Sequence, residues 1–240
     1  MVSLSNNEGM AQFPMNILAI GAHPDDIEIF MLGTLLAAQQ DGATVSMAIA
    51  TDGAAGGKGD PGELRCVRRA EATAAAELLG LRPHFLDFPD GGLVVDAALI
   101  ASLKALIADT RPDLVITHAP NDYHGDHRAL SDALRIASSF AVPVVWADTM
   151  MGVGFAPNIY VDVTDHFAEK CRALRAHSSQ DPERFVAMLE RWNGFRAAQA
   201  NATGYAEAFR FEPTYPFVDV RGLLPPGPGA RPVKDRRGAE

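Results

Sequence analysis

Two clusters of imidazole and carboxylate side chains stand out in this chain, and each follows an apolar segment. The first is His23-Pro24-Asp25-Asp26, which follows the segment 17–22. The second is Asp122-Tyr123-His124-Gly125-Asp126-His127, which follows the segment 114–117. Histidine and carboxylate are the ligands of catalytic zinc sites, which use three protein ligands and leave a fourth position open. Together the clusters predict an open-sided metal centre.

The spacing within each cluster indicates which residues could bind a metal and which could face the substrate. Asp25 and Asp26 are neighbours in a turn, so their carboxylates point in different directions, and one can bind metal while the other faces the substrate. His124 and His127 are three residues apart, which places both rings on one side if a helix begins there. His23, one aspartate and one of these histidines would complete a three-ligand site.

Such a set is sufficient for metal-assisted amide hydrolysis. Zinc would lower the pKa of a water molecule toward ~7, and the free carboxylate could take its proton during attack. A protonated histidine opposite could stabilise the oxyanion and then protonate the leaving amine. A structural interpretation competes for each cluster alone, because an aspartate such as Asp26 is also a good helix N-cap. Two clusters in this arrangement favour the metal site.

Short apolar strands alternate with amphipathic helices along the chain, which predicts a mostly parallel sheet with helices on both faces. The expected fold class is α/β, a Rossmann-like three-layer αβα sandwich. In such sheets ligands bind beyond the carboxyl ends of the strands, where both clusters lie. The predicted strands are Met15–Ile20, Thr44–Ala50, His84–Leu86, Leu114–Thr117, Val142–Trp146 and Ile159–Val163. The predicted helices are Asp26–Gln40, Gly62–Leu79, Asp96–Thr110, Asp126–Ser138, Asp165–His177 and Pro182–Ala200.

Composition bounds the class of protein. The 240 residues are 48% hydrophobic, which predicts one folded domain over 1–222, followed by a flexible Pro/Gly-rich tail over 223–240. The formal charge of −9 argues against a nucleic-acid partner. No apolar run approaches the ~18–20 residues that span a bilayer, and no signal peptide is recognisable, so no membrane partner is expected. Two isolated cysteines are typical of the reducing cytoplasm, the predicted location.

The segment Gly21-Ala22-His23-Pro24-Asp25-Asp26-Ile27-Glu28 resembles the N-terminal signature of the PIG-L/LmbE-like zinc deacetylases, which remove acetyl groups from N-acetylglucosamine-type sugars. The similarity covers about residues 15–212. Further segments resemble family landmarks in order, namely 51–53, 63–65, 88–91, 117–120, 177–180 and 205–209.

The resemblance implies a role for each residue of the two clusters. His23, Asp26 and His127 would be the zinc ligands, and Asp25 the general base. His124 would be the imidazolium that stabilises the intermediate, with Asp126 tuning it. Arg65, which matches a helix-start arginine of the family, would bind sugar hydroxyls or an anionic group of the substrate. The second cluster departs from the family's frequent His-Pro-Asp-His, because Gly125 replaces the proline and loosens the turn beside His124.

The predicted function is therefore removal of the N-acetyl group from an N-acetylglucosamine-type amino sugar or its glycoside. Two alternatives stay open: a zinc amidase that cleaves a larger acyl amide, as in thiol-conjugate detoxification, and a non-catalytic sugar-binding module of the same fold. Zinc is the expected cofactor, although a site of two histidines and one carboxylate also suits Fe²⁺. The resemblance implies a small amino-sugar substrate and a homo-oligomer, with hexamers among the forms that bacterial relatives adopt.

Overall fold

A computed structural model describes residues 15–229 of the chain. It contains one seven-stranded sheet in the order β3-β2-β1-β4-β5-β7-β6. The strands are β1 (Asn16–Gly21), β2 (Thr44–Thr51), β3 (His84–Phe88), β4 (Leu114–Thr117), β5 (Val144–Ala147), β6 (Ile159–Asp162) and β7 (Ala206–Arg210). The first five strands pair in parallel, and β7 runs antiparallel between β5 and β6. The predicted α/β class with a mostly parallel sheet is confirmed.

Within residues 15–229, seven α-helices connect and cover the strands. They are α1 (Asp26–Phe30), α2 (Leu32–Gln40), α3 (Pro61–Glu77), α4 (Ala97–Thr110), α5 (Gly125–Ala137), α6 (Phe167–Leu174) and α7 (Pro182–Gln199). Local sequence explains where several of them begin. Asp60 and Asp96 each accept a hydrogen bond from the backbone N–H three residues later, which caps α3 and α4.

Alternate residues of β1 face opposite sides of the sheet, and each side carries its own core. Ile17 and Ala19 lie in the core that is covered by α1, α2, α6 and α7. Leu18 and Ile20 lie in the core that is covered by α4 and α5. This division follows from the two-residue period of a strand, and it produces the predicted three layers.

Two elements differ from the sequence prediction. The predicted helix Asp26–Gln40 is broken at Met31, which has φ −147°, into α1 and α2. The break has a long-range cause: Glu207 accepts hydrogen bonds from the backbone N–H groups of Gly33 (2.9 Å) and Thr34 (2.8 Å), in the first turn of α2. Glu207 itself lies in β7, a strand that the sequence prediction did not include.

The predicted tail, 223–240, begins with residues that pack onto the sheet. Leu224 is buried against the core on the α1 side, and Pro226 accepts a hydrogen bond from the backbone N–H of Asp162 at 3.2 Å. The remainder of the predicted tail, from residue 230, lies outside the described residues. Within residues 15–229, no helix is long and apolar enough to cross a membrane.

Candidate active site

The two histidine-aspartate clusters meet at one edge of the sheet. β1 and β4 are parallel neighbours with Ile17 opposite Leu114, so their carboxyl ends lie side by side. The first cluster follows the end of β1, and the second runs from the loop beyond β4 into the first turn of α5. Gly21 permits the tight first turn, because a Cβ atom at that position would lie 2.9 Å from Cβ of Asp26.

Three side-chain atoms converge at the centre of this edge. His23 Nδ1 lies 3.2 Å from Asp26 Oδ2 and 3.3 Å from His127 Nε2. His127 Nε2 lies 3.4 Å from Asp26 Oδ2. Atoms that bind one tetrahedral zinc at about 2.0–2.1 Å are separated by about 3.3–3.4 Å from one another. The triangle of donors therefore has the size and the ligand types of a three-residue metal site.

Carboxylates hold both imidazole rings in the orientation that this site needs. His23 Nε2 lies 3.1 Å from Asp126 Oδ2 and 3.1 Å from Asp90 Oδ1. His127 Nδ1 lies 3.2 Å from Asp122 Oδ1. A carboxylate beside one ring nitrogen favours the proton on that nitrogen and leaves the other as an acceptor, which is how metal-binding histidines are usually oriented.

The electrostatics of the cluster favour a cation. Burial opposes protonation of His23, yet Asp26, Asp126 and Asp90 raise its pKa to about 12. Burial also opposes protonation of His127, but Asp26 and Asp122 raise its pKa to about 9. Burial raises the pKa of Asp26, but the three imidazoles of His127, His118 and His23 hold it well below its usual range. Side chains that attract positive charge this strongly fit a divalent ion.

His118 supports the cluster from the protein interior. Its ring is fully buried and stacks on the ring of His127 with centroids 3.6 Å apart. Its Nε2 atom lies 3.1 Å from Asp26 Oδ2. Burial lowers the pKa of His118 to about 4, so this ring is neutral and fixes the position of Asp26 without adding charge.

Asp25 stands beside the triangle with its carboxylate in a different direction from that of Asp26. Its φ of 114° is rare for a residue with a side chain, and such strain is concentrated at functional sites. Arg68 Nη2 lies 3.3 Å from Asp25 Oδ1 and also donates to the carbonyl of Pro24 at 2.5 Å. Burial raises the pKa of Asp25 to about 7, although Arg68 acts in the opposite direction. A carboxylate with such a pKa is suited to take a proton near neutral pH.

His124 is half-buried at the start of α5, and its ring contacts that of His23 with centroids 4.6 Å apart. Its Nδ1 accepts a hydrogen bond from the backbone N–H of Asp126 at 3.2 Å. Burial, and then the nearby His23, lower the pKa of His124. This hydrogen bond favours the ring form with its proton on Nε2, and the predicted role of His124 as an imidazolium stays a prediction.

Two other predicted residues have different surroundings from those expected. The Asp126 carboxylate contacts His23, and it accepts hydrogen bonds from the backbone N–H groups of Gly91 and Leu93. Arg65 lies on the exposed side of α3, where its guanidinium faces Asp87 at 3.3 Å. The arginine that α3 brings to the cluster is Arg68, three residues later.

A cavity of about 530 Å³ opens onto the cluster. Besides the two histidine-aspartate clusters, it is lined by residues to which the sequence analysis gave no role in the site. One wall is polar and includes Arg68 and Asp90. The rest of the lining is largely apolar and includes Ile29, Met150, Arg184, Phe185 and Met188.

Comparison with known proteins agrees with the geometry of this site. The family model "PIG-L: GlcNAc-PI de-N-acetylase" matches residues 18–138, which include both clusters. A diacetylchitobiose deacetylase of Thermococcus kodakarensis is 31% identical over 224 residues, with 82% of this chain and 83% of that protein covered. A probable N-acetyl-alpha-D-glucosaminyl L-malate deacetylase of Bacillus anthracis is 26% identical, with 85% and 96% covered.

A solved structure shares the fold over most of its length. The N,N'-diacetylchitobiose deacetylase from Pyrococcus horikoshii superimposes with a TM-score of 0.70 at 26% sequence identity. The match covers 82% of this chain and 84% of that protein.

Proposed function

Because the chain belongs to the PIG-L family, it is a deacetylase, and we propose that it removes the acetyl group from an N-acetylglucosamine-type amino sugar or a glycoside of one. The observation that carries this proposal is the convergence of His23 Nδ1, Asp26 Oδ2 and His127 Nε2 within 3.2–3.4 Å of one another. A divalent ion, zinc in our proposal, would be held by these three residues. When bound, it would polarise the amide carbonyl and lower the pKa of a water molecule.

In this proposal the surrounding residues divide the proton transfers among them. Asp25 takes a proton from the attacking water, since its carboxylate is the acidic group beside the triangle that no imidazole holds. The Nε2–H of His124 donates a hydrogen bond to the developing oxyanion as a neutral ring. Asp25 then donates this proton to the leaving amine.

The polar wall of the cavity supports a sugar as substrate. Arg68 and Asp90 are buried beside the cluster and offer a cation and a carboxylate, the groups that bind sugar hydroxyls by charge-assisted hydrogen bonds. The named activities of the relatives from Thermococcus kodakarensis and Bacillus anthracis, both deacetylases of acetylated amino sugars, support the same class of substrate.

The test is acetate release from N-acetylglucosamine and N,N'-diacetylchitobiose, with the metal content of the protein measured in parallel. We expect activity that is lost on chelation and returns when zinc is added. The His23→Ala variant should lose both metal and activity, whereas His84→Ala, which replaces an exposed histidine, should keep both. Metal-replete protein that binds these sugars without releasing acetate would instead support a binding module.

Substrates that differ only in the acyl group distinguish the proposed deacetylase from an amidase that cleaves a larger acyl amide. Glucosamine carrying acetyl, butyryl or benzoyl groups presents the same sugar to the polar wall. Our proposal predicts that kcat/KM falls as the acyl group grows. A rise with acyl size would favour the amidase.

A further inference from the structure

Glu71 is a buried carboxylate that the proposed chemistry does not use. It lies on α3, three residues after Arg68, and is only 8% exposed. No lysine or arginine among residues 15–229 forms an ion pair with it. Because a buried charge is costly without polar partners, the hydrogen bonds of Glu71 indicate which part of the molecule it serves.

Within the described residues, the Glu71 carboxylate accepts three hydrogen bonds, and all come from the Ser178–Gln180 turn. Its Oε1 atom accepts from Ser178 Oγ and from the backbone N–H of Ser179, both at 2.8 Å. Its Oε2 atom accepts from Ser179 Oγ at 2.7 Å. A charged acceptor makes such bonds stronger than those between neutral groups. Glu71 therefore ties this turn to α3.

The Ser178–Gln180 turn leads directly into α7 through a stiff junction. Asp181 has φ 52°, and Pro182 is the first residue of the helix, where its ring fixes φ at about −65°. The first two turns of α7 then supply three residues to the lining of the cavity, namely Arg184, Phe185 and Met188. A displacement of the Ser178–Gln180 turn would therefore move this part of the lining.

The helix that carries Glu71 also holds the turn of the first cluster. Arg68 donates a hydrogen bond to the carbonyl of Pro24 at 2.5 Å, and its guanidinium faces Asp25 at 3.3 Å. Residues three apart on a helix are neighbours on one face, so Arg68 and Glu71 lie side by side on α3. Arg68 fixes the turn of the proposed base, and Glu71 fixes the approach to α7. The separation between the base and the α7 residues of the cavity is therefore set by α3.

We propose that Glu71 is a positioning residue, which holds the α7 part of the cavity lining at the separation from Asp25 that the substrate requires. This inference rests on the proposed deacetylase function and adds to it a residue that acts through the Ser178–Gln180 turn. Because Glu71 acts on the shape of the cavity and takes no part in the proton transfers, its loss weakens the binding of substrate and of transition state equally. Such a change raises KM and leaves kcat and the metal content unchanged.

Variants on both sides of the contact test the proposal, with N,N'-diacetylchitobiose as the substrate. Glu71→Leu keeps the approximate size of the side chain and removes all three hydrogen bonds, so we expect KM to rise about 10-fold and kcat to change less than about 2-fold. The double variant Ser178→Ala/Ser179→Ala removes two of the three hydrogen bonds, and its KM should rise about 3-fold. Adding these two changes to Glu71→Leu should raise KM no further, because the contact is already lost.

Two further variants separate positioning from general damage to the fold. Glu71→Gln retains an acceptor oxygen, and its amide can donate to Ser179 Oγ, so its KM should stay within about 2-fold of the wild-type value. Glu77→Leu changes an exposed glutamate of the same helix and should leave both constants unchanged. An unchanged KM in Glu71→Leu, or a fall in kcat at unchanged KM, would overturn the proposal. If Glu71→Leu does not fold, the double serine variant is judged by the same two criteria.

Amide hydrogen exchange separates this inference from the deacetylase function. Since Glu71 holds the backbone N–H of Ser179, Glu71→Leu should speed exchange over residues 178–188 by about 10-fold and leave α4 unchanged. Faster exchange there, with a lower calorimetric affinity for N-acetylglucosamine, would support the role of Glu71 even if no acetate were released. Acetate release by the wild type, with neither exchange nor KM altered in Glu71→Leu, would support the enzyme and sink the inference.

Discussion

Two buried charged clusters in this molecule are built on opposite plans. Around Glu207, every charge has its counterpart: Oε1 accepts from Lys170 Nζ at 2.6 Å and from Gly33 N, and Oε2 accepts from Thr34 N. Around Asp26, by contrast, a single oxygen faces ring nitrogens of His23, His118 and His127 at 3.1–3.4 Å. In the Glu207 cluster the charges are paired with one another, whereas in the Asp26 cluster the polar atoms point at one common position.

The contrast separates a structural cluster from a functional one. A buried ion pair is tolerated when hydrogen bonds satisfy its polar atoms, and the Lys170–Glu207 pair meets that condition while it starts helix α2. The Asp26 cluster instead points two ring nitrogens and one carboxylate oxygen at a common point, an arrangement that a bound cation would satisfy. Buried charge alone therefore does not mark a site, whereas convergent acceptors do.

The largest effect is expected when the convergent point loses its carboxylate. The Asp26→Asn variant keeps the size of the side chain but removes the negative charge between His23 and His127. We expect kcat/KM for deacetylation to fall by about 10⁴-fold or more, with the metal lost. Measurement of bound metal and of acetate release checks this.

A matched variant serves as the control for Asp26→Asn. Asp132→Asn changes an exposed carboxylate on α5 and should retain full activity and full metal content. Both proteins should unfold at similar temperatures. Retention of stoichiometric metal by Asp26→Asn would remove Asp26 from the ligand set and end the contrast between the two clusters.

The Glu207 cluster should respond in the opposite way, through stability. Lys170→Met leaves Glu207 buried with its Oε1 charge unpaired, and we expect a loss of about 3–5 kcal/mol in the free energy of unfolding. Activity per folded molecule should not change. Chemical denaturation measures the loss, and Lys104→Met, at an exposed lysine of α4, is the control. A stable Lys170→Met protein with impaired turnover would mean that this cluster serves the reaction.

The sequence predicted those parts of the molecule that depend on local pattern. Strand ends followed by His23-Pro24-Asp25-Asp26 and by the second cluster indicated both the class of fold and the edge of the sheet that carries the site. The missed strand β7 shows the limit, because the segment Ala206–Arg210 includes both Glu207 and Arg210, and its burial depends on Lys170 and on the start of α2. No local period reveals such a long-range partner.

The same limit explains the arginines of α3. Arg65 and Arg69 are exposed and share Asp87, whereas Arg68 reaches the cavity. Arg68 lies on the same face of the helix as buried Ala72 and Ala75, four and seven positions later. The helical spacing of these apolar residues could therefore have predicted that Arg68 faces the interior. Asp90, in contrast, approaches His23 only through the folded chain. The segment 88–91 resembles a family landmark, but nothing in it indicated a contact with His23.

A smaller effect should separate the base from the ligands within the functional cluster. In Asp25→Asn the converging atoms of His23, Asp26 and His127 are untouched, so the metal should stay bound. We expect kcat to fall by about 10²–10³-fold, since the attacking water loses its proton acceptor. The measurement pairs steady-state rates with metal analysis. Full turnover by this variant would exclude Asp25 as the general base.

The smallest effect should come from the carboxylate that orients His127. Asp122 Oδ1 lies 3.2 Å from His127 Nδ1 and accepts the backbone N–H of His124 at 2.9 Å. Asp122→Asn can retain that backbone hydrogen bond but offers a weaker partner to the ring, so we expect metal affinity to fall by about 10–100-fold. Activity should then recover when zinc is raised, which Asp26→Asn should not do. A metal titration of both variants tests this difference. Equal and complete recovery of activity in both variants would mean that Asp26, like Asp122, is not required as a metal ligand.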